Sequence, residues 1–192
     1  MPAGGIHLCV AKEVASRLNI NQSMSYFIGN VAPDSWRNSS STKNDTHFIS
    51  NEDSFDYNYD YFYEKYKDSL DNEFVLGYLI HLITDKYWHS NNFITTRVSS
   101  DEYDELNKAC SNIISKYNIQ RLYLSNDLVN PVEELETLGI EKTINYLNSV
   151  NYLENKDSIF STDELISRIN ETSLFVINEL LRLQSKNRKN SR

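Results

Sequence analysis

A chain of 192 residues is the size of one domain, enough to bury roughly 70% of the surface its unfolded form exposes. Its 40% hydrophobic and 24% charged residues exclude both a membrane-embedded and a disordered chain. With 19 basic against 27 acidic residues the formal charge is −8, which repels polyanions and excludes the basic footprint of a duplex nucleic-acid binder.

Only five Gly and three Pro interrupt the sequence, and apolar residues recur at helical rather than alternating spacing. The expected fold is therefore all-α, a multi-helix bundle forming a single domain over residues 1–185, followed by a basic tail, 186–192. The tail reads either as a site for an anionic partner or as a helix C-terminus that attracts cations and then frays. The amino-terminal stretch lacks the charged and apolar regions of a secretion signal. No apolar run reaches the roughly 18 residues of a membrane span, so a cytoplasmic protein is expected. Cys9 and Cys110 are far apart with no C-x-x-C spacing, and read as core residues.

In chain order, His7 to Leu18 predicts a first helix whose buried stripe is Leu8, Ala11, Val14, Ala15 and Leu18, preceded by a small, flexible Gly4-Gly5. Residues 19–23 break it. Pro33 disfavours helix at Ala32 and predicts a sharp turn that presents Asp34. Residues 37–53 have the composition of a solvated loop, in which His47 reads first as a surface histidine. Seven aromatic rings crowd 55–66 (Phe55, Tyr57, Tyr59, Tyr61, Phe62, Tyr63, Tyr66), a pattern that fits the rim of a core better than a ligand cage. Glu73 to about Phe93 is apolar nearly all round and predicts a helix at the centre of the bundle. Further helices are predicted over about 100–117, 139–153 and 162–186, the last opened by the capping-box pair Ser161 and Glu164.

On the central helix His81, Asp85 and His89 recur at i, i+4 and i+8, along one slowly turning stripe. Burying them on an oily helix is costly unless they are satisfied. Hydrogen bonds from other helices, or an Asp85–His89 ion pair, would do so singly. A metal would do so together, since neutral imidazole and carboxylate are both zinc ligands. Gly77, one turn before His81, leaves room there for another backbone or a substrate. His7, His47 and Asp34 complete the set of donors that several elements could bring to one helix.

The order of these motifs resembles the zinc-dependent phospholipase C family. The resemblance rests on His7-Leu8 with Ala11, on Gly29-Asn30-Val31-Ala32-Pro33-Asp34, on Thr46-His47-Phe48, and on Gly77 through Asp85, and it spans about residues 1–93. It implies an all-helical fold shared with zinc-dependent single-strand nucleases. It also implies that Asp34, His47, His81 and Asp85 hold one zinc ion, with Asp85 bridging to a second that His7 also binds. The amine of Pro2, after removal of Met1, would be a further ligand by analogy with secreted relatives. The chain departs from the family at the third metal: no His follows His89, and His89 stands closer to Asp85 than the family's usual separation. One to two zinc ions are therefore expected, and His89 reads as a metal ligand or as a group supporting the other ligands.

The expected activity is metal-dependent hydrolysis of a phospholipid headgroup or another small phosphodiester, with Asp34 orienting or deprotonating the attacking water. The alternatives are a single-strand nuclease, which the charge of −8 disfavours, and a helical protein that binds zinc without turnover.

Overall fold

The computed structural model of the chain describes residues 4–38, 41–49, 56–91, 93, 105–106, 109–110, 113–114, 116–123, 140–149 and 161–190. These residues are overwhelmingly helical. The one strand-like pairing among them is an isolated antiparallel bridge between Ile49 and Tyr57. The helices are α1 (Gly4–Leu18), α2 (Met24–Val31), α3 (Lys43–His47), α4 (Tyr59–Tyr66), α5 (Glu73–Ser90), α6 (Ile140–Ser149) and α7 (Thr162–Asn190), with 3₁₀ turns at Ala32–Asn38 and Lys67–Ser69.

The expected central helix is α5. It begins at Asn72, whose side chain accepts from the Phe74 N–H, and twelve of its residues are buried. Helices α1, α2, α4 and α7 all pack on it, α2 most intimately. The reason for that intimacy is a reciprocal pair of glycines. A Cβ added at Gly77 would lie 2.1 Å from the Tyr26 carbonyl oxygen, and one at Gly29 would lie 2.1 Å from the Phe74 carbonyl oxygen. The two helices therefore touch backbone to backbone, a distance that no side chain permits. Of the two occupants expected beside Gly77, it is another backbone that fills the space.

Polar ties fix the other helices. Tyr26 donates to the Ala11 carbonyl at 2.8 Å, joining α2 to α1, and the Trp88 indole donates to Thr172 at 2.9 Å, joining α5 to α7. The aromatic stretch behaves as the rim of a core: Phe62, Tyr63 and Tyr66 on α4 are buried while Tyr61 is exposed. Phe62 stacks on Tyr78 of α5 at 5.1 Å. Cys9 and Cys110 are free and buried, as expected of core residues.

Four local expectations are corrected. First, α1 begins at Gly4, not His7, so Gly4 and Gly5 lie inside the helix rather than forming a flexible lead. A Cβ at Gly5 would stand 2.8 Å from Ile114 and 3.2 Å from Cys110, so this glycine serves close packing. Second, Ala32 is helical, with φ −58 and ψ −39, and Pro33 does not break the chain into an open turn. Pro33 stands near the start of the 3₁₀ segment, where a missing N–H is tolerated. Third, the polar stretch 37–53 is not uniformly a loop, because α3 forms within it. Thr42 and Asp45 make a reciprocal capping box, and Phe48 ends the helix in the left-handed conformation at φ 54. Fourth, α7 continues through Asn190, and Lys186 pairs with Asp60 at 3.1 Å. Residues 105–106, 109–110 and 113–114 of the helix expected at 100–117 are helical and 116–117 form a turn; its other residues, and the end of the helix expected to reach 153, lie outside the described residues.

Candidate metal centre

Five donors from four elements meet at the middle of α5. His81 and Asp85 stand one turn apart on its buried face, and α1 contributes His7 from its first turns. The 3₁₀ segment that follows α2 contributes Asp34, and that segment is braced by α6. His47 is the last residue of α3. It is fully buried, which overturns its reading as a surface histidine.

Asp85 is the hub. Its Oδ1 lies 3.3 Å from His7 Nε2, and its Oδ2 lies 3.4 Å from His47 Nε2 and 3.6 Å from His81 Nε2. Asp34 Oδ1 lies 3.7 Å from His47 Nε2. The His7 and His81 rings stack at 3.8 Å with planes 8° apart. Potential ligand atoms of His7, Asp34 and His81, and of His47, His81 and Asp85, each fall within 4.8 Å of one another. His89 belongs to neither group; it lies farther along α5 with its ring 6.1 Å from that of Tyr57.

Hydrogen bonds aim the rings. A backbone carbonyl only accepts, so His81 Nδ1 donates to the Asn30 carbonyl at 2.7 Å and leaves Nε2 turned to the cluster. His47 Nδ1 donates to the Lys43 carbonyl at 3.1 Å, with the same consequence. The two Nε2 atoms then face each other at 3.4 Å. Tyr78 holds α3 in place by donating to the Thr46 carbonyl at 2.5 Å. The left-handed turn at Phe48 is supported by Phe62, whose ring meets that of Phe48 edge-on at 5.1 Å.

These atoms fit a metal. Both His7 ring nitrogens and both Asp85 oxygens are buried with no well-formed hydrogen bond among the described residues. Groups of this kind rarely persist in a folded protein, because each costs about 1–3 kcal/mol or more to desolvate without a partner. A divalent cation would satisfy them at once, and the mixed imidazole and carboxylate set is a zinc set. Two carboxylates and three imidazoles are enough for one or two ions.

The electrostatics agree. Burial, then the nearby His81, pushes His7 down to about 4, and burial lowers His47, so both are neutral and ready to ligate at pH 7. Burial also opposes charge on His81, but the nearby charge of Asp85 outweighs burial and raises this imidazole. Asp85 is likewise opposed by burial and is held well below the usual carboxylate range by His81 and His7. Asp34, 11% exposed at its side chain, is the member of the cluster that reaches solvent; His7, His47, His81 and Asp85 are sealed.

Several contributors carry no readable signal in the sequence. The carbonyls of Asn30 and Lys43 could come from any residue type. The role of Gly29 is visible only once Gly77 is known to lie against the same helix.

No curated protein and no solved structure matches the chain. Residues 6–172 do match the family described as zinc dependent phospholipase C, which carries the resemblance well beyond residue 93. A buried His/Asp cluster that fits zinc, set in an all-helical fold, is what that match leads one to expect, and the chain belongs to the zinc-dependent phospholipase C family.

Proposed function

We propose that the chain is a zinc-dependent hydrolase of phosphodiesters, phospholipase C-like, acting on a phospholipid headgroup or another small phosphodiester. The observation that carries this reading is the arrangement of the cluster: four sealed donors beside one carboxylate, Asp34, whose side chain keeps 11% exposure. Asp34, His47, His81 and Asp85 would hold one zinc ion, and Asp85 with His7 would hold a second. When bound, zinc supplies Lewis acidity that polarises phosphoryl oxygens and makes water a nucleophile near neutral pH.

The chain's own residues do the rest. The Asn30 and Lys43 carbonyls fix the tautomers of His81 and His47, so that neither ring can turn away. Asp85, opposed to three imidazoles, keeps its negative charge inside the fold. Asp34, at the solvent edge, orients the attacking water and accepts its proton at the carboxylate. His89, outside the ligand groups, supports the site through the Tyr57 ring rather than by ligation.

The test is to assay zinc-loaded and chelated protein on phosphatidylcholine, on bis-p-nitrophenyl phosphate and on single-stranded DNA. Zinc-dependent cleavage of either of the first two, without degradation of DNA, supports the reading. Cleavage of DNA alone would favour a nuclease. A full complement of zinc with no turnover on any of them would favour a structural zinc site, the reading to which the complete burial of four donors lends weight.

A further inference from the structure

Beside the cluster lies a pair of groups that the ligand set does not use. After the left-handed turn at Phe48 the chain returns through the Ile49–Tyr57 bridge, and the Asn58 N–H donates to the Phe48 carbonyl at 3.0 Å. This pairing holds Tyr57 over His47, with ring centroids 6.1 Å apart. Tyr57 is buried, and its hydroxyl oxygen accepts from Lys43 Nζ at 3.1 Å. Lys43 itself stands one turn before His47 on α3, with Nζ 5.4 Å from the centroid of the Tyr57 ring.

The chemistry of this pair suits an oxyanion. The Tyr57 oxygen accepts from Lys43, yet its own proton has no acceptor among the described residues, so a hydrogen-bond donor and an ammonium stand side by side. A phenol is protonated at neutral pH, so the Tyr57 hydroxyl is available as a donor. In a chain of net charge −8, a lysine and a phenol packed against His47 provide attraction for a phosphate where the overall field provides repulsion.

We propose that Lys43 and Tyr57 form the anion subsite of the metal centre, Lys43 Nζ and the Tyr57 hydroxyl taking the non-bridging oxygens of a phosphate group. The proposal rests on the phosphodiester hydrolase reading for its substrate, but the subsite is tested by binding. No bond is made or broken here; the pair positions the phosphate and balances its charge. Ammonium-to-phosphate hydrogen bonds are charge-assisted, and losing one such contact is expected to weaken binding about tenfold.

Inorganic phosphate is titrated calorimetrically into zinc-loaded wild type, Lys43→Met, Lys43→Arg and Tyr57→Phe, with zinc content and melting temperature measured on each sample. Methionine keeps the length of the stem and phenylalanine keeps the ring on His47. The expected result is about tenfold weaker phosphate binding in Lys43→Met and Tyr57→Phe, partial recovery in Lys43→Arg, and unchanged zinc and melting temperature throughout. Phosphate affinity within twofold of wild type in both Lys43→Met and Tyr57→Phe would overturn the subsite and leave the hydrolase reading intact. Wild type that binds phosphate through these residues but cleaves no phosphodiester would support the subsite and remove the hydrolase. Wild type that holds zinc but neither binds phosphate nor cleaves would overturn both.

Discussion

In the proposed mechanism Asp34 is the residue at which metal binding and proton transfer would meet, because its side chain touches the cluster and keeps 11% exposure while the other four donors are sealed. Asparagine keeps its shape but cannot accept a proton or carry the charge. Asp34→Asn is expected to lower phosphodiester turnover by about a hundredfold or more while moving the melting temperature by only a few degrees. If Asp34 merely caps the 3₁₀ segment, turnover and zinc content will both be unchanged. Protons would compete with a bound metal at the same donors. Imidazole must be neutral to ligate, and His81 is raised above its ordinary 6.5 by Asp85, whereas His7 is lowered to about 4. As pH falls through the raised value of His81, zinc must expel a proton to bind, and affinity should fall by up to about tenfold per pH unit. His7 adds a competing proton only as pH approaches about 4. Zinc titration calorimetry in buffers of different ionisation heat measures the released proton directly; no release near neutrality would contradict the assigned state of His81. His89→Gln should leave zinc in place, and loss of a whole equivalent would make His89 a ligand.

At the scale of elements, the crossing of α2 and α5 sets the site, since it brings the Asn30 carbonyl to His81 one turn from Gly77. Alanine would ordinarily stabilise a helix by about 1 kcal/mol relative to glycine. At Gly77 it would meet the Tyr26 carbonyl oxygen at 2.1 Å, so the sign reverses. Gly77→Ala is expected to destabilise the fold by at least about 2 kcal/mol and to weaken zinc binding, measured by denaturant unfolding and zinc titration. A neutral or stabilising effect would mean that the two helices do not meet backbone to backbone. Helix α5 is legible in the sequence because its apolar residues run nearly uninterrupted, and His81 and Asp85 stand out against them. Helix α3 is not, because it is five residues long and largely polar. It is held by the capping box of Thr42 and Asp45 and by the tie from Tyr78 to Thr46, neither of which leaves a periodic trace. Burial of His47 follows from that tie. The resemblance of Thr46-His47-Phe48 to a family motif finds the residue where local composition points to a surface loop. Helix boundaries are misread where close packing replaces flexibility, as at Gly4 and Gly5.

For the whole molecule, no helix among the described residues is long and apolar enough to cross a membrane. The His/Asp cluster lies where α1, α3, α5 and the 3₁₀ segment after α2 converge, so a bound ion would join elements that are distant in sequence. Removing zinc should therefore loosen the entire fold rather than one loop. At a free concentration of zinc about a hundred times the dissociation constant, binding stabilises by about 2.7 kcal/mol, or roughly 5–10 °C in melting temperature for a chain of this size. The most direct test of the centre is elemental analysis of purified wild type, His81→Ala and Asp85→Ala after dialysis against trace zinc, with melting temperature recorded before and after chelation. The expected result is about one to two zinc ions per wild-type chain, a melting temperature that falls on chelation, and loss of bound zinc in both variants. Full zinc content in both variants, or wild type that takes up none, would contradict a zinc centre built on His81 and Asp85.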